Sequence, residues 1–316
     1  MKQKQFEHLH RDLWSQIEQM LQDSSDTESA HTLPTLYRQL CQHLALALQR
    51  GYSPALTDFL QQLVAQCHQR LYSARAARPI VLRQWMYVDF PRLVRAEWRL
   101  LLIAMGAFWG SALVVGMLIY LQPEWASSFM SVQSLEHYRG MYRPGQAAIG
   151  RDNQTDLMMF GFYIWNNVSI GFRTMAGGIV AGIPALFSVF FNGLHGGAVA
   201  AWLSLDPGTR STFWPFVITH SSFEITGLIL TAVAGMRLGL CVIHPGRLSR
   251  RQALVVNSQR LFPLITGAVL MIILAAFFEA FWSASTDIPA HIKYIVGASC
   301  WLGLLVFFVF AGRGKH

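Results

Sequence analysis

The sequence predicts an all-α protein, in which a small helical domain precedes a polytopic transmembrane bundle of about six spans. Three observations predict it. Residues 1–98 are polar and charged, whereas most of the chain after Arg99 is apolar. The average over both parts, 53% hydrophobic and 13% charged, is unlike a soluble globular chain. Basic residues cluster at the ends of the apolar runs, which is how a membrane protein sets its orientation. That placement directs the net charge of +8 toward a lipid bilayer and away from nucleic acid.

Taken in order, residues 6–22 carry Phe6, Leu9, Leu13, Trp14, Ile17 and Leu21 at helical spacing. Asp23–Ser29 reads as a polar linker. A second helix is expected from Pro34 to Arg50, with Leu36, Leu40, Leu44 and Leu48 on one stripe and Gly51 as its stop. Ser53–Pro54 reads as an N-cap followed by proline at the first helical position, opening a third helix with Leu56, Phe59, Leu60, Leu63, Val64 and Leu71. Residues 1–78 thus form a cytoplasmic helical bundle, in which His43 and His68 are solvated or packing residues. Residues 79–99 mix Ile80, Trp85, Phe90 and Trp98 with Arg83, Arg92 and Arg95, the pattern of an amphipathic elbow at the membrane interface.

Residues 100–316 form the transmembrane domain. Its expected spans are about Leu100–Leu121, Leu157–Gly171, Met175–Leu205, Phe213–Gly239, Leu261–Trp282 and Ile292–Phe310. The second is short, which suits a tilted, broken or shielded helix. Residues 122–156 form a longer exoplasmic loop, where Arg139, Arg143 and Arg151 are balanced by Glu124, Glu136, Asp152 and Asp156. Arg75, Arg78, Arg83, Arg92, Arg95 and Arg99 precede the first span, Arg247, Arg250, Arg251 and Arg260 lie between the fourth and fifth, and Arg313 and Lys315 come after the sixth. Six spans put all of these on one side, so both termini are expected in the cytoplasm, with the chain in the cytoplasmic membrane of a prokaryote. Met1–Met20 lacks an apolar targeting core, so the first span is expected to act as the insertion signal. Cys41, Cys67, Cys241 and Cys300 have no metal-ligand spacing and read as reduced thiols.

Ionisable groups inside spans are costly and usually functional. Asn166 and Asn167 fall in the second span, Asn192 and His195 on one face of the third, His220, Ser221 and Glu224 in the fourth, and Glu279 in the fifth. At 1.5 Å rise per residue, His220 is expected about 10–12 Å and Glu224 about 16–18 Å below the outer surface. One cavity opening to the exoplasmic side, lined by Asn166, Asn167, Asn192 and Ser221, would solvate the whole set. Three readings fit. The groups form a hydrogen-bonded core joining helices. They form a catalytic or metal site, with Glu224 as base, His220 and Glu279 beside it, and a divalent metal held by His220, Glu224, Glu279 and His195. They relay ions or protons, against which the inner half offers little polarity beyond Arg173 and Arg237. Gly106/Gly110, Gly193/Gly197 and Gly235/Gly239, each four apart, suit close helix packing and would also serve a homodimer.

The segments WNNVSIGFRTMAGGIVAGIPALFSVFFNGLHGG, THSSFEITGLILTAVAGMRLG and AAFFEAFWS, with LYRQLCQHLALAL and LVAQCHQRLY before them, resemble the stage II sporulation protein M family. Members carry an Asn-Asn pair, an Asn-Gly pair, a Pro-His-Gly-x-x-Glu-Leu stretch and a late glutamate. These correspond here to Asn166–Asn167, Asn192–Gly193, His220 with Glu224, and Glu279. Thr219, Ser221 and Ile225 stand where proline, glycine and leucine are usual. The resemblance implies an envelope scaffold or assembly factor, since the namesake anchors peptidoglycan-degrading partners in spore formers. Non-sporulating relatives accompany MoxR-type ATPases and von Willebrand factor A domain proteins, which the resemblance makes the expected partners. An intramembrane hydrolase or metalloenzyme is the alternative, and an ion or proton-coupled transporter the second.

Overall fold

A computed structural model describes residues 2–22, 29–72, 79–146, 148–151 and 155–314. Of the expected linker at 23–29 only Ser29 is described, as the first residue of a helix; the rest of it and the charges of Arg75, Arg78, Asp152 and Lys315 lie outside the described residues, as do the side chains of Leu71 and Ile80. Among the described residues all regular structure is helical. The chain divides into two compact units, Met1–Pro79 and Ile80–His316.

The first unit holds α1 (Gln3–Gln22), α2 (Ser29–Gln49) and α3 (Pro54–Tyr72). Phe6, Trp14, Ile17, Leu33, Leu40, Ala47, Leu56, Leu60, Leu63 and Cys67 make its core. Leu9 of α1 stands exposed, and so does Leu48, where the seven-residue step from Leu33 through Leu40 to Ala47 carries the seam of α2 past it. Gly51 ends α2 in a left-handed conformation (φ 62°). The amides of Gly51 and Tyr52 bond back to Leu48 and Ala47 (3.2 and 3.1 Å), a Schellman stop. His43 is a buried packing residue: it accepts from Trp14 Nε1 (3.2 Å), and its ring lies 3.8 Å from that of His10. Burial, with the neighbouring His10 charge, pushes the His43 imidazole down to about 4.

The second unit opens with α4 (Pro79–Gln84), a π turn (Trp85–Asp89) and α5 (Phe90–Ala96). The chain then bends at Glu97 into α6 (Trp98–Leu121). Short helices α7 (Ala126–Phe129) and α8 (Val132–Met141) occupy the loop before α9 (Asp156–Gly177). α10 (Ile183–Ser204), α11 (Pro207–Ile243), α12 (Arg250–Phe277, continued by a π turn at Phe278–Ser283) and α13 (Ala290–Phe310) complete the unit. Among the described residues, five helices are long and apolar enough to cross a membrane: α6, α10, α11, α12 with its π turn, and α13. The expected second span is α9, whose 22 residues include Asp156, Arg173 and the asparagine pair and which is not among the five.

α11 is the central helix, packed against α6, α9, α10, α12 and α13. It starts six residues before the expected Phe213, because Asp206 caps Gly208 N (3.0 Å) and Pro207 opens the first turn. The expected 206–211 turn therefore reduces to the residues just before Pro207. The third span is expected from Met175, but Met175–Gly177 end α9. The chain turns at 178–182, with Ala181 and Gly182 both at positive φ, and Pro184 restarts the helix. This turn lies directly on α11: a Cβ at Gly239 would fall 2.7 Å from Ala181 C. Gly197 meets α6 in the same way, with an added Cβ 2.6 Å from Ala112 Cα, while Gly106 and Gly110 face open space. Two of the three glycine pairs thus serve contacts within the chain.

At the other end of the bundle, Glu97 is fully buried and accepts from Arg237 of α11 (Nε 2.7 Å, and Nη2) and Arg260 of α12 (3.3 Å). Arg95 donates to the carbonyls of Phe308 and Ala311 (2.7 and 2.8 Å), satisfying the open C-terminal end of α13. The basic elbow is therefore a bonded part of the unit as well as a run of positive charge.

Candidate functional site

His220 and Glu224 lie four apart on α11, about 20 and 26 Å along the helix from Pro207. One turn of helix separates them, so both side chains leave the same face. Glu279 comes from a different element, the π turn that widens the end of α12. One ligand atom from each of the three lies within 4.8 Å of the other two. His220 Nε2 is 4.0 Å from Glu224 Oε2, while its Nδ1 is hydrogen-bonded to Ser283 Oγ (3.0 Å). Nδ1 is thereby engaged, and Nε2 is the nitrogen turned to the carboxylates. Glu279 Oε2 is buried with no hydrogen-bond partner.

The support reaches further. Lys293, buried at the start of α13, donates to the carbonyls of Ser283 and Ser285 (2.8 and 2.7 Å). It holds the turn that presents Ser283 to the imidazole. Phe216 packs its ring against His220 (centroids 5.1 Å apart), and Tyr142 packs edge-on against Phe216. The loop before α9 closes over this end: Ile149 N bonds to Ala284 O (3.4 Å), and Gly150 lies so close to Phe216 that a Cβ there would fall 2.7 Å from the ring. Burial, reinforced by the Glu279 charge, pushes the Tyr142 phenol well above its ordinary value.

The remaining polar residues singled out by the sequence have separate surroundings. Asn166 Nδ2 donates to Asn167 Oδ1 (2.9 Å), and Asn167 is buried one turn from Tyr163 on α9. Asn192 donates to Ser188 O of its own helix (2.7 Å). His195 is exposed and bonds to Tyr138 of α8 (3.0 Å). His195 and Ser221 lie on a largely apolar groove of about 800 Å³ between α6, α10, α11 and α13. The structure thus brings together His220, Glu224 and Glu279, and sets His195 against a tyrosine instead of a carboxylate.

Sequence reasoning missed Ser283, Lys293, Glu97, Arg151, Tyr163 and Trp282. Lys293 was findable, as a lone cation at the mouth of an apolar span demands a partner. Glu97 was findable too, as one of only two acids, with Asp89, in a basic elbow. Arg151 sits in the loop with its side chain 8% exposed, paired through Nη2 to Asp156. Nothing in its local sequence marks that burial.

Fold and site together define a polytopic helical membrane protein with a histidine–carboxylate cluster buried among its helices. The chain belongs to the stage II sporulation protein M family, whose model matches residues 100–284, more than half of the sequence. Residues 4–73 match a second model, a domain of unknown function (DUF8413). The chain is similar to an uncharacterized protein of Methanocaldococcus jannaschii, 25% identical over 123 residues that cover 39% of this chain and 69% of that one. No solved structure matches.

Proposed function

We propose that this protein is a membrane-embedded hydrolase in which His220, Glu224 and Glu279 hold a divalent cation. The observation that carries the reading is the convergence of three ligating atoms within 4.8 Å from two separate elements, with the imidazole held through Ser283. Metal–ligand bonds of about 2.0–2.2 Å put donor atoms about 3–4 Å apart around one ion, so small side-chain rotations complete the set. One imidazole and two carboxylates suit Zn²⁺, Mn²⁺ or Fe²⁺. Three protein ligands leave a coordination position for water, which the metal would activate. Glu224, about a third exposed, is the carboxylate placed to exchange protons with that water.

The packing behind the cluster speaks against transport. An added Cβ at Gly227 would meet Ile272, and Gly235 and Gly239 lie against the backbone of residues 174–182. By the placement of arginine, both termini are cytoplasmic in a prokaryotic inner membrane and the cluster lies in its exoplasmic half.

The decisive measurement is metal content of the purified protein with metal-dependent melting. The expected result is about one divalent ion per chain, with affinity reduced at least tenfold in His220→Ala and Glu279→Gln. A wild-type protein that carries no ion, and whose melting is unmoved by added Zn²⁺ or Mn²⁺, would refute the metal centre.

A second reading, an envelope assembly factor, is favoured by the separate first unit, a three-helix unit with its own family model. MoxR-type ATPases, von Willebrand factor A domain proteins or a second copy of the chain are its partners. On that reading His220→Ala and Glu224→Gln change partner capture; on the hydrolase reading they leave it intact.

A further inference from the structure

The buried side-chain nitrogens and oxygens without a hydrogen bond, among the described residues, are Arg151 Nε and Nη1, Tyr163 Oη, Trp282 Nε1 and Glu279 Oε2. The elements that carry them meet at the end of α12. Tyr163 packs with Met159 of α9 against Ala276 and Ala280, which flank Glu279 at the end of α12. Trp282 comes next on the same π turn. Arg151 adjoins Gly150, which lies on Phe216, and Ile149, which bonds to Ala284. Its ion pair with Asp156 ties it to the first turn of α9, two turns before Tyr163. Tyr163 lies within electrostatic reach of both Arg151 and Glu279.

Unmade hydrogen bonds at buried groups are expensive, and native proteins keep few of them. A guanidinium more than nine-tenths buried with two nitrogens unused is the costliest of this set. Its partner among the described residues, Asp156, is half exposed and leaves the rest of the fork open. Together the three side chains leave four donor atoms unsatisfied, a set that an acceptor with several oxygens and negative charge would answer. A carboxylate offers two oxygens, which the arginine fork alone would occupy. A phosphoryl group offers three, enough for the fork, the phenol and the indole together.

We propose that Arg151, Tyr163 and Trp282 form an anion subsite beside the His220–Glu224–Glu279 cluster that takes the phosphoryl group of a phosphate-bearing substrate. The inference deepens the hydrolytic reading and rests on it only for the chemistry after binding. Arg151 binds the phosphoryl charge, and Tyr163 and Trp282 fix its orientation. The substrate bond to be cleaved then lies toward the carboxylates. The phosphoryl group comes from a lipid headgroup or a soluble phosphate ester, and both present the same oxygens.

The test is thermal unfolding of the full-length protein in detergent, titrated with inorganic phosphate, with acetate at matched ionic strength, and with dihexanoyl phosphatidic acid. Each titration is run with chelator and with Mn²⁺. Phosphate is expected to stabilise the wild type saturably, acetate at least tenfold more weakly. Arg151→Gln is expected to weaken phosphate binding at least tenfold and Arg151→Lys less, each measured against its own ligand-free melting, while exposed Arg210→Gln has no effect. Tighter binding of the phosphatidic acid than of phosphate assigns the lipid source; equal binding assigns the soluble one. Equal responses to acetate and phosphate, or an undiminished response in Arg151→Gln, overturn the subsite. Phosphate binding that needs Mn²⁺ and is unchanged in Arg151→Gln assigns the anion to the metal and also overturns it. A phosphate response that survives in a protein binding no metal refutes the hydrolytic centre alone.

Discussion

Removing Arg237 should cost far more stability than removing Arg260, although both are basic residues paired to the same carboxylate. Glu97 is fully buried, and Arg237 gives its Oε2 two hydrogen bonds from a guanidinium one-third exposed. Arg260 gives Oε1 one bond of 3.3 Å from a side chain more than half exposed. Arg237→Met leaves a buried carboxylate with that single contact, a change in the class that costs about 3–5 kcal/mol. Arg260→Met deletes an exposed contact worth about 0–1 kcal/mol. Glu97→Met with Arg237→Met removes both charges and leaves Arg260 free to turn outward, so the pair should cost about 1–2 kcal/mol. The double variant is then about 2–3 kcal/mol more stable than Arg237→Met alone. Unfolding by sodium dodecyl sulfate in mixed micelles, for wild type, singles and double, measures it. A double variant as unstable as the sum of its singles, or equal losses for Arg237→Met and Arg260→Met, would refute the reasoning.

Packing and titration supply two further outcomes. Gly239→Ala should destabilise by about 3 kcal/mol, because the new methyl meets backbone that cannot yield, whereas Gly110→Ala, with open space around it, should cost nothing by the same micellar unfolding. A fragment of residues 1–78 contains Trp14 as its one tryptophan and reports its own unfolding by fluorescence. Since the His43 imidazole is held down to about 4 when folded, the unfolded chain binds the extra proton first. Stability should be flat above pH 6.5 and fall by about 2–3 kcal/mol as pH drops from 6.5 to 4. His43→Gln should flatten that slope; an unchanged slope would remove His43 as its origin.

The sequence made the transmembrane architecture readable because bilayer solvation writes itself into long apolar runs. It made His220 and Glu224 readable because four residues on a helix return to one face. Glu279 stood out as a lone carboxylate, but its approach to the pair depends on the π turn, which no local pattern announces. The break at 178–182 was signalled by Gly177, Gly178, Gly182 and Pro184, and an apolar average across them concealed it. Glu97 was hidden for a different reason. Counting charge to orient the chain treats the elbow as a sum, whereas Glu97 acts through Arg237 and Arg260, 140 and 163 residues away. Arg151 was balanced in the charge count by nearby acids, and its burial arises from a loop folding onto α11.

Lys293 gives the lipid-facing α13 a mechanical role. Few of its residues are buried, yet its ammonium grips the turn carrying Ser283, which in turn holds the imidazole of His220. A bilayer thinner or thicker than this helix prefers would change its tilt. Through that lever, membrane thickness becomes a variable that the histidine feels.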